Sequence, residues 1–195
     1  MIKSVSFDQL NPVSFLDRSS LVYPDKEAVI YKDHRYTYSE FADRVNQLAN
    51  ALSNSSVSAG DRVGFLCPNI PAMLEGHYGP MKLGAILVAI NIRLSSREIL
   101  YILNHSKVKV LVLDAEFSAK ILEIIDQLET VTEFVQVTDD FPINLELSDM
   151  DYETYLSIAT TEFRNVELES EIDTVAINYT SGTTGLPKGV EYHAR

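Results

Sequence analysis

From Thr180 to Lys188 the chain reads TSGTTGLPK, which sets four hydroxyls, on Thr180, Ser181, Thr183 and Thr184, within five residues and a lysine four residues further on. Gly182 and Gly185 carry no Cβ, so backbone N–H groups beside them approach an anion without obstruction. Successive N–H groups of this kind form a concave nest for negative charge. Lys188 adds a point charge on a flexible stem, and Pro187 limits the freedom of the turn before it. Hydroxyl donors, backbone donors and one cation together suit a polyphosphate.

The familiar alternatives do not fit the spacing. In a GxxxxGK[ST] phosphate loop the second glycine precedes the lysine, but Pro187 stands there and Gly189 follows the lysine. The dinucleotide pattern GxGxxG is absent. Ser181 lacks the glycine two residues earlier that a GxSxG nucleophile elbow requires, so these hydroxyls are read as phosphate donors rather than nucleophiles. A lone GTTG would be read as a flexible surface turn; the longer string is far more specific.

Other reactive side chains carry less. Cys67 is the only cysteine, so there is no internal disulfide framework, and no CxxC or HExxH pattern offers a metal site. It ends the apolar run VGFLC and is expected to be a buried structural thiol. His34, His77 and His105 are isolated from one another, which favours surface or satisfied core positions over catalysis.

Acidic residues outnumber basic ones 28 to 16, a formal charge of -12 that repels nucleic-acid phosphates and anionic membranes, so an anionic ligand must meet a local positive site. With 46% hydrophobic and 23% charged residues the composition is that of an ordinary globular protein. No apolar run approaches the roughly 18 residues of a membrane span, and the N-terminal residues lack the features of a secretory leader. The expected location is cytoplasmic.

The loop needs elements to hold it. EAVIYKDHRYTY reads as a β-hairpin after an irregular start. Thr37 and Glu40 have capping-box spacing, and Phe41, Val45, Leu48, Ala49 and Leu52 then share one helical face. VGFLC, AILVAIN, VKVLVLD and EFVQVTD read as strands. Between them IPAMLEGHYGPMKLG, SSREILYILNHS (with Ser95 and Glu98 as a second capping box) and FSAKILEIIDQLE read as helices. Apolar strands alternating with helices predict a parallel α/β sheet. Residues 139–170 read as an acidic connection with a short helix near DYETYLSIA, and DTVAINYT is the strand that delivers the loop. Phosphates commonly bind at such strand ends in open α/β sheets.

The complete string YTSGTTGLPKGV is similar, residue by residue, to the signature of the adenylate-forming superfamily, which includes acyl-CoA synthetases, luciferases and peptide-synthetase adenylation domains. TYSEF, Thr37 to Phe41, resembles the first core motif of that superfamily, and MKLGAILVAIN, Met81 to Asn91, resembles the second. The stretch from Cys67 to Asp114 looks most like enzymes that activate short- or medium-chain fatty acids. One departure stands out. Many relatives place His-Arg three variable residues after KGV, whereas here Ala194 precedes Arg195 and the histidine is His193.

The resemblance implies an α/β fold with a mainly parallel sheet flanked by helices and an N-terminal hairpin, forming the N-terminal portion of the superfamily's large domain. Residues 1–195 would be an incomplete AMP-binding domain, with the adenine-binding part and the C-terminal domain downstream. It implies ATP-dependent activation of a carboxylic acid to an acyl-adenylate and then to an acyl-CoA, with ATP, Mg²⁺ and coenzyme A as cofactors or co-substrates. Thr180, Ser181, Gly182, Thr183, Thr184, Gly185 and Lys188 would bind phosphate. No catalytic residue and no metal ligand is assigned in this stretch. The expected partners are a small carboxylate, a nucleotide, and the remainder of the enzyme or another chain, with the isolated chain inactive. The alternatives are a truncated protein that binds a nucleotide or a partner without catalysis, and an adenylating enzyme with a different acceptor.

Overall fold

A computed structural model describes residues 10–162, 170–180 and 186–195. Its centre is a six-stranded sheet built from β3 (Arg62–Leu66), β4 (Ile86–Ala89), β5 (Val108–Asp114), β6 (Glu133–Val137), β7 (Thr174–Thr180) and β8 (Lys188–His193). The order across the sheet is β6-β5-β3-β4-β7-β8. Neighbours pair in parallel from β6 to β7, and β8 runs antiparallel to β7. The central strands are nearly continuous in Val, Leu and Ile because both of their faces are covered, as parallel strands require.

One face carries α2 (Tyr38–Asn54), α3 (Pro71–Gly76) and α6 (Tyr152–Ser157), whose Leu48, Leu52, Tyr152 and Tyr155 pack on Val63, Phe65, Val110, Val112 and Val135. The opposite face carries α4 (Ser96–Ser106) and α5 (Ser118–Leu122), with Ile99, Ile102, Leu103 and Ile121 against Leu66, Val88, Leu111 and Leu113. The two-residue alternation of side chains along β3 and β5 divides these two cores. Both expected capping boxes are formed: Thr37 with Glu40 starts α2, and Ser95 with Glu98 starts α4.

The hairpin is β1 (Glu27–Tyr31) and β2 (His34–Thr37), turning at Lys32-Asp33. It packs through Val29 on Phe41, Ala42 and Val45 of α2. Tyr31 Oη and Lys32 Nζ both bond Asp139 at the end of β6, at 2.6 and 2.8 Å.

Three local readings change. The start of the chain contains α1 (Pro12–Val22), capped by the Asn11 side chain and opened by a proline at its first position. That pair is a recognised helix-start signal. The expected helix over IPAMLEGHYGPMKLG divides into α3 and a 3₁₀ turn at Pro80–Leu83, because Pro80 has no N–H to continue the ladder. FSAKILEIIDQLE keeps its apolar face but is helical only over α5, with a 3₁₀ turn at Ile125–Gln127. The β-branched pair Ile124-Ile125 suits a helix interior poorly.

Candidate functional site

β7 is rich in β-branched and aromatic residues and pairs with β4 from Ala176 to Asn178. It then runs past the end of β4, so Tyr179 and Thr180 pair only with β8, opposite Gly189 and Lys188 respectively. Thr180 is thus the last residue into the loop and Lys188 the first residue out of it. Ser181, Gly182, Thr183, Thr184 and Gly185 lie outside the described residues. The loop leaves from the carboxyl end of a strand in a doubly covered sheet, where ligands of α/β proteins bind.

Thr180 and Lys188 are both exposed, and Lys188 forms no ion pair with the described residues. In a chain of formal charge -12, this places a cation without an ion-pair partner among the described residues opposite a hydroxyl residue at the base of the loop. The pair can attract and orient an anionic group.

Tyr179, immediately before Thr180, has its hydroxyl 2.7 Å from His105 Nδ1 on α4. Tyr101 stacks on His105 at 5.2 Å and meets Tyr179 edge-on at 6.5 Å. Burial raises the Tyr179 phenol above its ordinary value. The face of α4 that carries Tyr101 and His105 also lines a groove of about 600 Å³ whose other wall includes Leu186 and Pro187. Sequence reasoning left His105 without a partner, because 74 residues separate it from Tyr179.

A second concavity, about 340 Å³, is lined by Tyr31, Tyr36, Arg44, Tyr152, Glu153 and neighbours, and includes neither Thr180 nor Lys188. Beside it Glu75 is fully buried and is held by Arg44 Nε at 2.5 Å and by Tyr152 Oη at 2.6 Å. Arg44 reaches Glu153 as well and lies over the Tyr36 ring. These charges satisfy one another. No signal in PAMLEG marks Glu75 as buried.

Cys67 is buried at the end of β3, and burial pushes its thiol well up. His34, His77 and His193 are exposed. A ring N–H of His193 bonds the Ile172 carbonyl, while Ala194 is buried with Val13, Met81 and Val175. Among the described residues no group of three or more His, Cys, Asp or Glu side chains is placed to hold a metal ion, and no helix is long and apolar enough to cross a membrane.

Residues 16–195 match the family described as AMP-binding enzyme. The chain is 37% identical to 4-hydroxybutyrate--CoA ligase 2 of Metallosphaera sedula over 97% of its length, covering 35% of that protein. It is 32% identical to the peroxisomal acetate/butyrate--CoA ligase AAE7 of Arabidopsis thaliana, again over 97% of its length and 36% of the relative. It therefore spans about a third of the curated relatives it matches. Among solved structures, the anthranilate CoA ligase AuaEII in complex with anthranoyl-AMP superposes with a TM-score of 0.87 at 28% identity, over 100% of this chain and 36% of that one. The N-terminal domain of FACL13 from Mycobacterium tuberculosis gives a TM-score of 0.80 at 31% identity, over 94% of this chain and 44% of that one.

Proposed function

The chain belongs to the AMP-binding enzyme family, and from that premise we propose that it forms the phosphate-binding part of an enzyme that activates a short- or medium-chain carboxylic acid with ATP and passes the acyl group to coenzyme A. The observation that carries the reading is the Thr180–Lys188 pair, an exposed hydroxyl residue in register with an exposed cation that has no ion-pair partner among the described residues, at the base of a loop on the carboxyl end of β7.

In the proposed reaction a carboxylate oxygen attacks the α-phosphorus of ATP, the bond to the bridging oxygen breaks, and pyrophosphate leaves with the electron pair. The acyl-adenylate is then attacked at its carbonyl by a thiol, with AMP as leaving group. In-line displacement of this kind asks the protein for positioning and charge neutralisation. Lys188 supplies charge to the departing β- and γ-phosphates, and Thr180 supplies a donor; Ser181, Gly182, Thr183, Thr184 and Gly185 complete the proposed grip. ATP, Mg²⁺ and coenzyme A enter through the family. When bound with the nucleotide, Mg²⁺ would neutralise phosphate charge alongside Lys188.

The choice of acid rests on the relatives, whose names specify hydroxybutyrate, acetate and butyrate. A cytoplasmic location belongs to the same proposal. The test is carboxylate-dependent ATP–pyrophosphate exchange in the enzyme carrying Lys188→Ala. Losing one preorganised charge at the reacting phosphates is expected to slow exchange by about 10²-fold. Exchange at the parent rate would overturn the role of the loop. In a panel of carboxylic acids, preference for amino acids over butyrate would overturn the substrate class.

A further inference from the structure

β4 stops pairing with β7 at Asn178, so Tyr179 and Thr180 extend beyond the body of the sheet with only β8 beside them. β8 is itself an edge strand, exposed at all six of its residues. Such an overhang would not by itself hold Thr180 and Lys188 in one place.

What ties the overhang back to the body of the fold is the Tyr179 side chain, which reaches His105 on α4. Its ring passes close over Gly189, where an added Cβ would lie 3.2 Å from Ile177 Cγ2 and 3.3 Å from Tyr179 Cζ, a tight fit that the absence of a side chain relieves. The hydroxyl then meets His105 Nδ1 at 2.7 Å, with the two rings nearly perpendicular at 86°. Tyr101 backs the imidazole by stacking on it. α4, which carries both, is anchored at one end by the Ser95–Glu98 capping box and along its length by Ile99, Ile102 and Leu103. Side chains alternate along β7, so Tyr179 occupies the α4 face of the strand while Thr180 belongs to the other.

We propose that His105 and Tyr179 are positioning residues for nucleotide binding, a strut from α4 that fixes the Thr180–Lys188 pair and so sets the affinity for the triphosphate. This rests on the phosphate-binding reading above. Neither residue touches the nucleotide; both act through the register of β7 against β8.

The test is steady-state kinetics and hydrogen exchange on the enzyme carrying Tyr179→Phe, His105→Ala, the double variant, and His105→Asn. The asparagine variant returns a polar atom near the position of Nδ1. Loss of one hydrogen bond predicts a rise in KM for ATP of about fivefold in each single variant. The double variant should be no worse than the singles, KM for the carboxylate should move less than twofold, and His105→Asn should recover most of the loss. Exchange should quicken in the peptide covering Lys188–His193. A merely structural role would lower the melting temperature and leave KM for ATP in place. Unchanged KM for ATP in Tyr179→Phe overturns the strut, and this mild variant keeps that outcome readable if His105→Ala folds poorly. Lys188→Ala, run beside them, separates the two ideas. If it too leaves exchange untouched, the phosphate reading fails and takes the strut with it; if it alone impairs exchange, only the strut falls.

Discussion

Thr180 and Lys188 stand opposite one another across β7 and β8, so the chain leaves the sheet at a hydroxyl and returns to it at a cation. That register brings two groups eight positions apart to one end of a strand pair, and several measurable consequences follow from it and from the core beneath.

Lys188→Arg should retain part of the activity that Lys188→Ala loses, because charge survives while the compact ammonium geometry does not. Pyrophosphate-exchange rates should fall in the order parent, arginine, alanine. Equal rates for arginine and alanine would show that geometry, not charge, decides.

Asp114 closes β5, accepts the Glu116 N–H, and is buried to 4% exposure. Burial, helped by the charges of Glu116, Asp139 and Asp140, raises its carboxyl above the ordinary 3.8. A group raised on folding favours the native state while protonated and loses that advantage as pH climbs through its folded value. Asp114→Asn keeps the acceptor and removes the titration. The variant should gain stability over the parent between pH 3.8 and neutrality, read as a growing difference in urea midpoint, with no such growth at lower pH. A difference that does not change with pH would refute this.

Glu75→Ala leaves the Arg44 guanidinium and the Tyr152 hydroxyl without their buried partner. The expected cost is about 3–5 kcal/mol in urea unfolding, although Glu153 still holds Arg44 from the solvent side. A cost below about 1 kcal/mol, the worth of a surface pair, would mean that the site rehydrates.

At Gly79 an added Cβ would come 2.5 Å from Leu48 Cδ2, on a leucine with no exposed surface. Gly79→Ala should therefore destabilise by about 1–3 kcal/mol, an overpacking cost. Thr37→Ala, which removes the N-cap acceptor of α2, should cost about 1 kcal/mol. Thermal melts of the two would rank them, and a neutral Gly79→Ala would mean that Leu48 can turn aside.

Much of this architecture was legible because it is local. Capping boxes declare themselves at three-residue spacing, and Thr37–Glu40 and Ser95–Glu98 both form. Apolar strands of Val, Leu and Ile announce a sheet covered on both faces, which is what was found. Helix breaks were less legible. Gly76 and Gly79 lie against Phe65 and Leu48, contacts that no pattern within PAMLEGHYG displays. Asn11-Pro12 was a readable start signal that the irregular reading of the N-terminal residues passed over.

By itself the sequence determined the residue types of the loop, its place after an apolar strand, and the family, since residue types and short spacings are properties of the linear chain. The tertiary structure alone decided which strand stands beside which, that Lys188 returns opposite Thr180, that Glu75 is buried between Arg44 and Tyr152, and that His105 meets Tyr179. Each of these joins residues whose separation along the chain says nothing about their distance. They are fixed by the crossing of helices over a twisted sheet, where the burial of two apolar cores selects one arrangement.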